Sequence, residues 1–263
     1  MKKLGRLLGL ITLCSGLGAS IMSTTAMADQ TAYDSELYSE IYDGIASFEP
    51  SFTVSYKGEE EAVEEQLKLI LHDIRKKDSY SYENMTRLEA SIKQMGDEMN
   101  LQFSIDFLTT KEKEKYVDER VEEILSNIRK EKLSHQDMIK AVHDYIVLNI
   151  EYSDNTQGSS HSTYTALTEN KGVCQAYSLL MHKMLSELGI EAQYIKGKAG
   201  GAAHSWNLVK VAGEWRHIDA TWDDPLDNKE DTIRYNYFLK TDKEMKKTHS
   251  WNTADYPKAF SKR

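Results

Sequence analysis

Three residues of this 263-residue chain could together perform nucleophilic chemistry: Cys174, His204 and Asp219. Cys174 follows Lys171-Gly172-Val173 at the predicted start of a helix, where unpaired N–H groups favour a thiolate. A thiolate attacks acyl groups well when a base takes its proton and a carboxylate orients that base. We therefore predict that Cys174 is the nucleophile, His204 the base and Asp219 the orienting carboxylate.

The predicted contact between the histidine and the aspartate depends on a hairpin. Two strand-like runs flank Ala212-Gly213, which is typical of a two-residue hairpin turn. With Val211 paired to Glu214, His204 and Asp219 share a face as diagonal neighbours about 7–8 Å apart. A slip of one residue would put them on opposite faces, so the register of this turn decides whether the site can form.

Other residues compete for these roles. His217 is the rival base because it lies on the same face of the second strand, although beside Asp219 it is more typical of a packed histidine. Asp223 and Asp224 could replace Asp219 as the orienting group, but their position is more typical of a turn. The alternative for Cys174 is a buried structural cysteine.

Gly172, Trp206 and Trp222 are the predicted substrate-binding residues. Gly172 leaves room for a substrate backbone, and the two indoles could wall a groove, with core packing as the alternative. An oxyanion hole needs the Cys174 N–H and a second donor, for which Gln157 or a tryptophan N–H stays open. The remaining histidines have no metal-ligand spacing with one another or with the cysteine, so we predict no metal site.

The surrounding elements predict an α+β fold. Apolar residues from Val63 to Ile74 recur at helical spacing, and strict alternation from Met99 to Phe107 predicts a half-buried strand. Ser134 is the predicted cap of the helix that opens the second part, and Gly189 is the predicted stop of the Cys174 helix. The predicted domains are a signal peptide at 1–28, an N-terminal α/β region of unknown role at 29–133 and a catalytic domain at 134–263.

The N-terminus predicts export. Basic residues, an apolar run and Ala26-Met27-Ala28 follow in the order of a secretory signal, so we expect cleavage near Ala28 and a protein that is secreted or on the exterior of the cell envelope. Cleavage removes Cys14 and leaves Cys174 without a disulfide partner. The mature chain has 30 basic and 42 acidic side chains, a net charge of about −12, which disfavours nucleic acid and stable insertion in an anionic membrane.

Three segments closely resemble the signatures of the bacterial transglutaminase-like superfamily: Gly172–Tyr177, Ala203–Asn207 and His217–Pro225. The resemblance extends to Tyr152 upstream and, downstream, to Tyr237–Leu239 and His249–Trp251, and so covers roughly 134–252. It implies a papain-like core in which a cysteine heads a central helix packed on an antiparallel sheet. Nucleophile, base and orienting group then fall on Cys174, His204 and Asp219, and Ser205 stands where many relatives carry alanine.

The resemblance indicates the type of reaction better than it indicates the substrate, because the superfamily includes cross-linkers, deamidases, peptidases and members that have lost activity. We expect a thiol-dependent acyl-transfer enzyme, a cysteine peptidase or amidohydrolase acting on proteins or envelope peptides. One alternative is a protein-glutamine transglutaminase, in which an amine resolves the same acyl-enzyme. The other is a non-catalytic envelope scaffold or binding module. No cofactor is expected, and no acidic loop has the spacing of a calcium site.

Overall fold

The structure is a computed structural model that describes residues 33–95, 98–225 and 233–260. The predicted signal segment, with Cys14 and the cleavage site at Ala28, lies outside the described residues. The chain divides into two compact units between Lys111 and Glu112. This division falls at the first residue of the helix that the sequence prediction assigned to the N-terminal region, and the start of the catalytic domain at 134 stays a prediction. None of the helices in the described ranges is long and apolar enough to cross a membrane.

The first unit contains a three-stranded antiparallel sheet in the order β1-β3-β2. In β3, Met99, Leu101, Phe103 and Ile105 are buried and alternate with more exposed residues, which confirms the predicted half-buried strand. Its elements are α1 Ser35–Ala46, β1 Ser51–Tyr56, α2 Glu60–Lys77, α3 Ser79–Glu83, β2 Met85–Met95 and β3 Glu98–Phe107.

The second unit is built around a four-stranded antiparallel sheet in the order β8-β7-β6-β9, with a short parallel pair β4-β5. Its helices are α4 Lys111–Lys130, which begins at the boundary, α5 His135–Asn149, α6 Thr163–Glu169, α7 Cys174–Glu187, α8 Ala220–Asp223 and α9 Asp242–Met245. Its strands are β4 Glu151–Tyr152, β5 Lys171–Gly172, β6 Ala192–Ala199, β7 Ala202–Val211, β8 Glu214–Ile218 and β9 His249–Trp251.

Helix α7 is the centre of this unit. Its apolar side chains are buried in one core with residues of α4 and α5, and each large one contributes roughly 1.5–3 kcal/mol of burial free energy. The helix ends before Gly189, whose positive φ of 70° is the left-handed conformation expected after a helix C-terminus. Ser134 accepts a hydrogen bond from the Asp137 N–H and caps α5, as predicted. Helix α4 packs in this core, so it belongs to the second unit.

The β7–β8 hairpin has the predicted register. Val211 pairs with Glu214, and both turn residues, Ala212 and Gly213, have positive φ, which defines a type I′ turn whose twist matches the flanking strands. The fold is therefore the predicted α+β class, with a cysteine at the start of a helix that packs on an antiparallel sheet.

Candidate active site

Cys174 is the first residue of α7 and is partly exposed. Val173 precedes it in extended conformation and supplies no side-chain cap, so the positive end of the helix dipole at Cys174 is not offset by a capping side chain. Burial acts to raise the pKa of the thiol, but the hydrogen bond with His204, its charge and the Ser205 N–H together hold that pKa below its ordinary value. The geometry therefore favours a thiolate.

The Ser205 hydroxyl also acts on the thiol. It is one of the groups that lower the pKa of Cys174, yet it makes no hydrogen bond within ordinary distance and angle limits among the described residues. Its effect on the pKa of the thiol is smaller than that of His204.

His204 lies between the thiol and a carboxylate. Its Nε2 is 2.7 Å from Asp219 Oδ2, which leaves Nδ1 for Cys174. Burial acts to lower the pKa of the imidazole, but hydrogen bonds with Asp219 and Cys174 and the charges of both outweigh it and raise that pKa to about 9. A thiolate beside an imidazolium is the form that these shifts favour together.

Asp219 follows the last residue of β8 and is fully buried. Oδ1 accepts the Trp222 N–H at 3.1 Å, which caps α8, while Oδ2 accepts from His204. Burial acts to raise the pKa of the carboxyl, but hydrogen bonds from His204 and His249 hold it below the ordinary value. The carboxylate is thus fixed at a strand end, and the predicted diagonal neighbours come into direct contact.

The second histidine at Asp219 was missed by the sequence analysis. His249 Nε2 lies 2.9 Å from the same oxygen, Oδ2, and its Nδ1 lies 2.8 Å from Thr248 Oγ1. The one available signal was the family resemblance of His249-Ser250-Trp251, which assigned no role to the residue. The position of His249 in the sequence was compared only with the spacing of metal ligands.

His204, Asp219 and His249 also form the one group among the described residues that could ligate a metal, with candidate atoms within 4.8 Å of one another. Each atom already takes part in a hydrogen bond: both Nε2 atoms donate to Oδ2 of the carboxylate. The network accounts for the arrangement without an ion, so we describe it as a hydrogen-bonded cluster.

His217, the rival base, is packed within the unit. Its Nδ1 accepts from Trp206 Nε1 at 3.0 Å and its Nε2 lies 2.9 Å from Asp242 Oδ1. Burial lowers the pKa of this imidazole, and the opposing effect of Asp242 is smaller. A neutral His217 with both nitrogens engaged fits the simpler interpretation, a structural histidine.

The two alternative carboxylates bond elsewhere. Asp223 Oδ2 lies 3.2 Å from His143 Nε2, and its Oδ1 accepts the Tyr237 N–H. Asp224 Oδ2 lies 2.6 Å from the Tyr177 hydroxyl. Both side chains are buried and support the packing of α8 rather than the imidazole of His204.

The predicted substrate-binding residues have different surroundings. Gly172 is buried, and an added Cβ would lie 2.8 Å from Ala176 Cβ, so the protein's own packing requires a glycine there. Trp206 is 1% exposed and donates its indole N–H to His217, which leaves that N–H unavailable to an oxyanion. Trp222 is half-buried with its ring centroid 6.1 Å from that of His204.

The loop at 153–162, which precedes α6, is held through its backbone by the last residue of that helix. The N–H groups of Gln157 and Gly158 donate to the Glu169 carboxylate at 2.8 and 2.9 Å. These bonds fix the loop between β4 and α6. They say nothing of the Gln157 side chain, whose role as an oxyanion donor stays a prediction.

Residues 119–220 match the model of the transglutaminase-like superfamily, and this range contains Cys174, His204 and Asp219. Over these residues the chain is similar to the transglutaminase-like superfamily. The predicted resemblance is thus confirmed, with a match that begins in α4. A search of curated proteins found no match.

Three solved structures resemble the chain at low sequence identity. A transglutaminase is 17% identical (TM-score 0.38, covering 64% of this chain and 50% of its own). A candidate cysteine protease from Cytophaga hutchinsonii is 20% identical (TM-score 0.34, covering 54% and 58%). A candidate protease from Parabacteroides distasonis is 11% identical (TM-score 0.29, covering 64% and 37%). The chain spans about half the length of these structures.

Proposed function

We propose that this transglutaminase-like domain is a thiol-dependent acyl-transfer enzyme of the hydrolase type, with Cys174 as nucleophile, His204 as acid and base, and Asp219 as orienting carboxylate. One observation carries the proposal: His204 bonds Asp219 at 2.7 Å through Nε2 and shares its other side with the thiol. A merely structural cysteine needs neither a raised imidazole pKa nor a lowered thiol pKa.

The reaction uses one proton that His204 holds and returns. The Cys174 thiolate attacks an acyl carbonyl, and the Nδ1 proton of His204 passes to the leaving amine as the C–N bond breaks. Water then attacks the thioester, His204 Nδ1 takes its proton, and the thiolate leaves with the C–S electron pair. Asp219 stays ionised throughout and stabilises the imidazolium.

The oxyanion needs two donors, and we propose the Cys174 N–H and the Tyr152 hydroxyl. Tyr152 pairs with Gly172, two residues before the nucleophile, and is 42% exposed. Burial raises the pKa of this phenol, and the charges of Cys174 and Asp154 add to the increase, which is the effect expected of a hydroxyl near the sulfur. A neutral phenol can donate, so Tyr152→Phe should lower kcat by roughly tenfold to a thousandfold.

Proteins or peptides of the cell-envelope exterior are the proposed substrates, in keeping with the predicted export signal. Trp222 offers a half-exposed indole near His204, the kind of surface that packs on a peptide. An acidic net charge favours neutral or basic segments over nucleic acid or anionic lipid.

The test separates three outcomes with one substrate. The purified protein is incubated with a glutamine-rich protein and a labelled primary amine, and mass spectrometry counts cleaved peptide bonds, deamidated glutamines and incorporated amine. Cys174→Ala is the control. Cleavage or deamidation in excess of incorporation supports the hydrolase. Excess incorporation identifies a transglutaminase instead, and the absence of any Cys174-dependent product favours the scaffold.

A further inference from the structure

His249 is the unassigned group in closest contact with the proposed machinery. It is 3% exposed, it lies in β9 opposite Ala199 of β6, and its Nε2 is 2.9 Å from Asp219 Oδ2. The oxygen it contacts is the one that holds His204. The match to the superfamily ends at residue 220, so His249 lies outside it.

The hydrogen-bond pattern fixes which His249 nitrogen carries the proton. An ionised carboxylate only accepts, so Nε2 must donate to Asp219, and in the neutral ring Nδ1 then accepts. Thr248 Oγ1, 2.8 Å from Nδ1, is a hydroxyl that can supply that proton. Thr248 therefore selects the tautomer that points an N–H at Asp219.

The ring is also held in place by its neighbours. Its centroid lies 4.7 Å from that of Trp222, 5.0 Å from that of Trp206 and 5.3 Å from that of Tyr237. An aromatic enclosure of this kind removes rotational freedom, so the donor stays aimed at one point. Side chains from β7, α8 and the segment before α9 all contribute to the enclosure.

We propose that His249 is a positioning residue for the acyl-transfer reaction, which donates from Nε2 to Asp219 Oδ2 and so keeps this buried carboxylate charged and aimed at His204. The inference rests on the proposed function and deepens it. Without His249 the carboxylate keeps two donors, His204 and the Trp222 N–H, for an anion that is fully buried. A buried anion that loses a donor protonates more readily and stabilises an imidazolium less well.

The titratable groups around Asp219 also indicate that the two histidines keep this carboxylate ionised. Burial acts to raise the pKa of Asp219, and the two imidazoles are the groups that hold it down. Two further ionisable groups interact with its charge, Tyr152 on β4 and Asp223 on α8, and both can only add negative charge, which opposes its ionisation.

The experiment measures the rate at which iodoacetamide labels Cys174 in the full protein between about pH 4 and pH 9, by site-resolved mass spectrometry. No substrate is needed. His249→Leu removes the donor, His249→Gln keeps an N–H near the same position, and His135→Leu is a matched control at the exposed start of α5. We expect His249→Leu to label about tenfold to a hundredfold more slowly near pH 5, with the acid limb moved to higher pH. His249→Gln should restore most of the rate.

Thr248→Val gives a second, milder variant on an exposed residue if His249→Leu does not fold. It should move the acid limb in the same direction by a smaller amount, because the tautomer is then no longer selected. An acid limb that is unchanged in both His249→Leu and Thr248→Val overturns the inference. A wild-type thiol that labels only at alkaline pH contradicts the proposed function itself and removes the inference with it.

Discussion

The contact between Tyr177 and Asp224 predicts a stability change with pH that one substitution can remove. The Tyr177 hydroxyl lies 2.6 Å from the Ile150 carbonyl oxygen and 2.6 Å from Asp224 Oδ2. A phenol has one proton and a carbonyl oxygen only accepts, so both contacts can be hydrogen bonds only if Asp224 carries a proton and donates to Tyr177. The structure therefore favours the neutral carboxyl.

The charges around Asp224 agree with this proton count. Burial raises the pKa of Asp224 to about 6, and the charge of Glu151 adds to the rise. Tyr177, which can turn its proton towards the ionised carboxylate, and the charge of Arg234 oppose the rise. The pKa is raised in the folded protein, so the stability it contributes is complete below the unfolded value near 4 and is lost as the pH rises through 6.

The magnitude follows from the two pKa values. A rise from 3.8 to about 6 corresponds to at most ~3 kcal/mol. Screening by nearby solvent reduces this to roughly 1–2 kcal/mol. The amide of Asp224→Asn can donate to Tyr177 as the protonated carboxyl does, and it does not titrate. The variant should therefore match the wild type near pH 4 and unfold with a free energy about 1–2 kcal/mol higher near pH 8.

Urea unfolding at five pH values between 4 and 8, followed by tryptophan fluorescence, measures this difference. All four tryptophans lie in the second unit, so the signal reports the unit that contains Asp224. Asp43→Asn, on the exposed surface of the first unit, controls for the loss of one charge. A destabilisation by Asp224→Asn that is equal at pH 4 and pH 8, or larger at pH 8, would refute the protonated carboxyl.

Three further predictions concern the packing around the site. Gly172→Ala places a methyl group 2.8 Å from Ala176 Cβ and should cost about 1–3 kcal/mol in urea unfolding; an unchanged midpoint would contradict this packing. His217→Leu leaves the Trp206 N–H without its acceptor, so it should cost about 1–3 kcal/mol without moving the pH profile of Cys174 labelling, whereas a moved profile would restore His217 as a base. Ser205→Ala removes a buried hydroxyl without a hydrogen bond, so stability should hold or rise while acid-side labelling slows slightly; a loss above about 1 kcal/mol would reveal a bond.

The contact between His204 and Asp219 could be predicted because local rules govern it. Residues in a strand alternate between faces, and Ala212-Gly213 adopts the positive φ values that a two-residue hairpin requires. These two facts fix the register, and the register fixes which side chains meet. The position of Cys174 could be predicted equally well, because the apolar spacing of α7 and the stop at Gly189 indicate one helix with the cysteine at its start.

The contact of His249 could not be predicted in this way. It lies 30 residues beyond Asp219 in the chain, on a strand of three residues too short to show alternation. Its place depends on the pairing of β9 with β6, a long-range contact that no local pattern encodes. The helical spacing of α4 likewise shows that one of its faces is apolar, but it does not show which core covers that face.

The most direct test of the central claim is the pH dependence of Cys174 alkylation in the wild type and in His204→Ala. An ordinary thiol, with a pKa near 8.5, is roughly three-thousandfold less ionised at pH 5 than at full ionisation. We predict that wild-type Cys174 labels rapidly at pH 5 and that His204→Ala abolishes this acid-side labelling while leaving labelling at pH 9. A wild-type thiol that labels only above pH 8, or one that is indifferent to His204, would contradict the thiolate–imidazolium pair.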